Sequence, residues 1–295
     1  MTDIELHAAL VTILLPACAT AVGLCLAMAM ATGRPTTQGL AVALTLAIGI
    51  TVADVGIRGW QNFWPADITR RLPYVALLVV AASAVALAAA RAGRWRTSRA
   101  TILSSALAAG GIASVFAPSP PTSELPPLSK GLWWGTLGTM ILAGQVALGQ
   151  IALRRPGVGL PLLLAACSSA CAVAVAMGGS LSLGQICGGF AVCLTVLAAF
   201  AWRQPWLAAN GTVGQLSAAV LGATLAAAHL FAELPLASAL TLHSFTVVPW
   251  LGEVPGFRHR PLIGWCVQAA ILLALAAVAI AIVLADRPAE SSVYG

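Results

Sequence analysis

The residues of this chain that could do chemistry are few, and four of them fall into two pairs at helical spacing. Asp54 and Arg58 close the run Thr-Val-Ala-Asp-Val-Gly-Ile-Arg and lie on one helix face. A carboxylate in such apolar surroundings costs a few kcal/mol unless it is paired, protonated or hydrated. It could therefore handle a proton or cation, or anchor a polar solute. The simpler reading is an Asp–Arg pair that ends a membrane span at its boundary, and the short distance to that boundary favours it.

His229 and Glu233 repeat the spacing. An imidazole beside a carboxylate suits proton relay or metal binding. Two ligands are too few for a metal site, so His243 is the candidate third group. The competing reading is a helix end capped near the lipid headgroups. No metal or cofactor is assigned. Arg258, His259 and Arg260 form a cationic cluster that could hold an anionic headgroup or solute; the simpler reading, an anchor at the membrane surface, is favoured.

The elements that must position these groups are apolar helices. Sixty per cent of the 295 residues are apolar and 8% are charged. The charges separate long continuous runs of the length that a bilayer core requires. Continuous rather than alternating runs exclude a barrel, whose strands alternate. The fold class is all-α, a polytopic transmembrane helical bundle of nine to ten spans.

Spans are expected over about 7–32 (kinked at Pro16), 38–57, 72–90, 100–117, 131–153, 159–177, 181–202, 211–232 and 261–285. The segment between Arg58 and Arg71, with Trp60, Phe63 and Trp64, reads as interfacial. A Pro-rich linker, 118–130, separates an N-terminal four-span block (1–117) from a C-terminal block of five to six spans (131–295), within one membrane domain. Residues 234–252 are apolar but interrupted by Pro235, Pro249 and His243. They read as a tenth span, a re-entrant hairpin or an interfacial segment. Broken apolar stretches line cavities in transporters.

Positive charge sets the orientation. With the N-terminus outside, nine spans place nine basic residues inside and six outside, and ten spans place ten inside and five outside. The first run lacks a basic n-region and carries Asp3 and Glu5, so it reads as a retained span rather than a cleaved signal. The expected location is the plasma (inner) membrane.

The remaining features read as packing. Seven cysteines fall inside apolar runs without metal-ligand spacing and act as small apolar residues. Gly214, Ala218, Gly222 and Ala226 form a smooth stripe for close helix approach, and Gly184 and Gly188 form a shorter one. Gln145, Gln150, Gln185, Gln215 and Gln268 need partners in hydrocarbon and should face the bundle interior. Asn210-Gly211-Thr212 matches a glycosylation acceptor of the kind that arises by chance. The net charge of +6 lies at span ends, without a basic patch interleaved with aromatics, so no nucleic acid is expected. The partners are the lipid bilayer and other membrane subunits or further copies of the chain. No enzyme signature occurs. The expected role is a permease-like protein for a small solute or lipid. The alternatives are a non-catalytic subunit or scaffold, and a membrane enzyme acting on lipid.

Overall fold

A computed structural model describes residues 8–29, 35–60, 67–91, 97–116, 127–155, 157–208 and 211–286. The described residues are almost all helical and contain no strand. In hydrocarbon a helix satisfies every backbone donor and acceptor within one segment. The long elements are α1 (Leu15–Ala29), α2 (Pro35–Arg58), α3 (Leu72–Arg91), α4 (Thr97–Phe116), α5 (Pro127–Arg154), α6 (Gly159–Met177), α7 (Leu181–Arg203) and α8 (Gly211–Phe231). Two short helices, α9 (Leu236–His243) and α10 (Pro255–Arg258), precede α11 (Pro261–Ala285).

Among the described residues, eight helices are long and apolar enough to cross a membrane, so the chain is a multi-pass helical membrane protein. This is fewer than the nine to ten spans expected. Within α4 the fully described residues form a shorter apolar helix, Ile102–Val115, and 234–252 is not one continuous helix. The Pro-rich linker also ends earlier than expected, because α5 begins at Pro127. Proline is tolerated in a helix's first turn, where its missing N–H has no acceptor to serve. Residues 118–126 of that linker lie outside the described residues, as do 61–66 of the interfacial segment.

The expected disturbance at Pro16 takes the form of a π-helical turn, Leu10–Leu14, immediately before α1. Pro16 has no N–H for the carbonyl of Thr12, and a wider turn makes room for its ring. Gly189 of α7 packs at this spot. A Cβ there would lie 2.9 Å from Ala53 Cβ and 3.5 Å from Thr12 O.

Close approaches fix how neighbours run. Gly49 abuts Cys193 and Gly189 abuts Ala53, so α2 and α7 are antiparallel. Trp133 stacks on His229 and Gly214 meets the Leu148 backbone, so α5 and α8 are antiparallel too. The small-residue stripe of α8 serves this second interface: Gly144 of α5 faces Ala218, and Gly222 faces Ile141. The bundle thus has two ends. The C-termini of α2, α6 and α8 share the Arg58 end. The C-terminus of α5 and the N-termini of α6 and α8 share the Arg155 end.

Helix α8 runs through the middle, with 89% of its apolar window buried. A polar knot ties it to α3 and α4. Gln215 Nε2 donates to Ser104 Oγ and Ser105 Oγ, each at 2.9 Å, while Ser83 Oγ donates to Gln215 Oε1 at 3.5 Å. Between helices in lipid, such bonds and close packing replace the hydrophobic drive. Gln145 and Gln268 are also buried, as expected, whereas Gln150 and Gln185 are only half-buried. All seven cysteines are free. Cys167, Cys171, Cys187 and Cys193 are buried, and Cys18, Cys25 and Cys266 are exposed.

The interrupted stretch runs from one end of the bundle to the other. It starts at the Arg58 end, where Leu234 packs on Gly178. It continues as α9, then a 3-10 turn at Ser244–Thr246 and another at Val248–Glu253. It follows α5 in register: His243 bonds the Met140 carbonyl, Trp250 the Ala147 carbonyl, and Glu253 meets Arg155. On its other side it is antiparallel to α11, with Ser238 bonded to Ala279 O and Gln268 bonded to Pro249 O. Helix α11 begins at the Arg155 end, where Trp265 fills the space beside Gly159.

Candidate functional site

Helix α8 ends with a left-handed residue, and that residue is Glu233, at φ 55°. The Leu234 N–H donates back to Ala228 O at 3.2 Å, which closes a tight left-handed turn at the helix end. Leu234, the apolar residue after the turn, is buried. The turn carries the Glu233 side chain to an exposed position. It also folds the chain back beside α8, so that α9 lies over the face bearing His229.

His229 and His243 consequently line one cavity of about 410 Å³ between α5, α8 and α9. Trp133, Leu137, Met140 and Leu240 supply much of its apolar wall. The His229 imidazole lies almost parallel to the Trp133 ring, at 4° and 6.2 Å between centroids. Each histidine is oriented by one backbone carbonyl: Nδ1 of His229 donates to Leu234 O at 2.8 Å, and Nε2 of His243 donates to Met140 O at 3.2 Å. A carbonyl only accepts, so the facing nitrogen carries the proton. The second nitrogen of each ring has no protein partner among the described residues. The cavity therefore offers hydrogen-bonding nitrogens inside an apolar and aromatic lining, the usual composition of a small-molecule site.

The expected grouping of His229, Glu233 and His243 is only partly realised. Both histidines line the cavity, but Glu233 does not. No group of three His, Cys, Asp or Glu side chains suited to a metal occurs among the described residues. The i, i+4 spacing assumes that the helix continues, and it stops between His229 and Glu233.

Asp54 and Arg58 pair at 3.6 Å, and both side chains are only 5% exposed. Arg58 Nη1 also donates to Thr69 Oγ1 at 3.1 Å, and Asp67 accepts from both the backbone N–H and the hydroxyl of Thr69. The pair thus belongs to a small network joining the end of α2 to the turn before α3. It does not line the histidine cavity. His259 and Arg260 of the cationic cluster are exposed at the start of α11, and the Arg258 side chain lies outside the described residues.

Trp133 was not singled out in the sequence. Its position near the start of a span reads as an interfacial aromatic.

These features define a multi-pass helical integral membrane protein with a ligand-sized cavity between its helices. No known family, curated protein or solved structure matches the chain.

Proposed function

We propose that the protein is a permease-like carrier for a small amphiphilic solute or lipid, with the histidine cavity as its binding site. The observation that carries this reading is the placement of His229, His243 and Trp133 around one apolar cavity against an interrupted helix. Broken helices at cavities free backbone groups and permit local movement, which carriers use. An apolar body would rest against Trp133 and the leucines, while a hydroxyl or amine group would reach the free imidazole nitrogens.

The topology that goes with this reading has ten crossings. These are the eight long apolar helices, α4 and the interrupted stretch. An even count puts both ends of the chain on one side. With the N-terminus outside the plasma membrane, the Arg155 end is cytoplasmic, which agrees with the ten-to-five distribution of basic residues.

The test is purification of the wild type and of Trp133→Ala and His243→Phe in lipid nanodiscs, with mass spectrometry of everything bound. The expected result is one amphiphile at unit stoichiometry, lost in both variants while size and melting temperature are retained. That amphiphile should also move across reconstituted vesicles. A stoichiometric protein partner and no bound small molecule would instead make the chain a subunit of a larger complex.

A further inference from the structure

We infer that the interrupted stretch 234–253 divides two cavities, each reached from a different face of the membrane, and that its contact with α5 is the closed point between them. The inference rests on the carrier reading above and extends it to a two-sided path. The first cavity is the histidine cavity, placed toward the Arg58 end by Trp133 and His229. The second, of about 440 Å³, lies at the Arg155 end, where α5 and α7 end and α6 and α11 begin. Trp202, Trp265, Arg155, Gln268 and Pro249 line it. The interrupted stretch contributes wall to both: α9 to the first and Pro249 to the second.

Between the cavities the packing is close because glycine permits it. A Cβ on Gly144 would lie 3.4 Å from Thr246 Cγ2, 3.5 Å from Ala218 Cβ and 3.6 Å from His243 Cε1. A Cβ on Gly222 would lie 3.2 Å from Ile141 and 3.7 Å from His243. This layer coincides with the place where the stretch leaves α-helical geometry, at Ser244–Thr246. The barrier is therefore made by the least regular part of the wall, where small backbone changes would separate His243 and Thr246 from α5.

The wall of the second cavity holds a buried polar side chain. Gln268 is 1% exposed, and its Nε2 donates to Pro249 O at 3.0 Å and weakly to Val248 O at 3.5 Å. Those carbonyls can only accept, so the amide nitrogen must face them. That leaves Oε1 buried, with no partner among the described residues. An unmet buried acceptor is costly and is usually answered by a ligand or water. Gln268 thus sits in the wall between the interrupted stretch and α11, where a shift of either element would bring its unmet Oε1 to the second cavity.

The test is cysteine labelling of the full-length protein in intact cells and in inverted membrane vesicles, using a charged, membrane-impermeant methanethiosulfonate. Ala239→Cys reports the first cavity and Ala201→Cys the second, each in a chain whose native cysteines are replaced by alanine. If that background fails to accumulate, the same substitutions are read against wild-type labelling. The expected result is that each cysteine is labelled from one face only, and that the two faces are opposite. Labelling of both from the same face, of either from both faces, or of neither would overturn the inference. The readout needs no solute. Opposite-sided labelling with no bound amphiphile would therefore sink the carrier reading alone and leave the divided cavities standing.

Discussion

Arg155, just past the end of α5, donates through Nε to Oε1 of Glu253 at 2.6 Å, across 98 residues of sequence. It also donates to the carbonyl of Gly252, and the neighbouring Arg154 sits 5.0 Å over the ring of Trp250. Together these contacts fasten the far end of the interrupted stretch. The side chains of the pair are 32% and 21% exposed, so water screens the ion pair in part. Glu253→Gln is expected to lower stability by about 1 kcal/mol, seen as a lower melting temperature in detergent. Arg155→Ala should cost more, because it also strips the donor from Gly252 O.

The Asp54–Arg58 pair makes a sharper prediction. Both groups are almost wholly buried, so removing one leaves the other without compensation. Asp54→Asn should destabilise the protein by about 3 kcal/mol. The double variant Asp54→Asn with Arg58→Gln should recover much of that loss. Full recovery of both stability and solute flux in the double variant would make the pair structural. Recovered stability with flux still absent would make the carboxylate functional.

Glu233 occupies a position that glycine fills more easily. A side chain at left-handed φ costs about 1 kcal/mol, and this one is exposed with φ 55°. Glu233→Gly is expected to raise the melting temperature and leave ligand binding at His229 unchanged. A fall in stability would show that the carboxylate holds the turn in some other way.

Two glycines on neighbouring helices should respond in opposite directions. A Cβ on Gly214 would strike the backbone of Leu148, which cannot yield as a side chain can. Gly214→Ala is expected to cost about 2 kcal/mol through strained packing. Gly110 has nothing within 4 Å of the same built atom. Gly110→Ala should therefore stabilise α4 by up to about 1 kcal/mol through helix propensity. Melting curves of the two variants side by side test the α5–α8 interface.

Helix ends were the most legible part of this molecule. The bounds of α6 and α11 match the expected runs, because charges and prolines stop an apolar run where the bilayer stops. The Asp54–Arg58 contact was legible too, since both residues sit on a helix that continues through them. The His229–Glu233 spacing misled because a left-handed turn interrupts it, and no i, i+4 rule anticipates that. His243 was grouped with His229 and Glu233 from residue type alone. Its place in one cavity with His229 depends on the chain doubling back at Glu233. The second cavity was not legible at all. Its walls combine the short window 151–163, where α5 ends and α6 begins, with Trp202, Pro249 and Trp265 from distant parts of the chain, which no local pattern brings together.

Helix α8 has a bearing on how the protein is made. Its best window has a mean hydropathy of 1.4, against 2.8 for α11, which is the least buried of the eight long helices. Glycine, serine, threonine and glutamine lower that value, and in the folded bundle other helices cover them. During synthesis α8 leaves the ribosome after α5 but before α11. A segment so weakly attracted to lipid is expected to enter the bilayer against helices already waiting at the insertion site rather than alone. Helix α5, equally low at 1.4, is its main neighbour and the natural one to wait. In biogenesis the two would then behave as a single insertion unit, although α6 and α7 separate them in the chain.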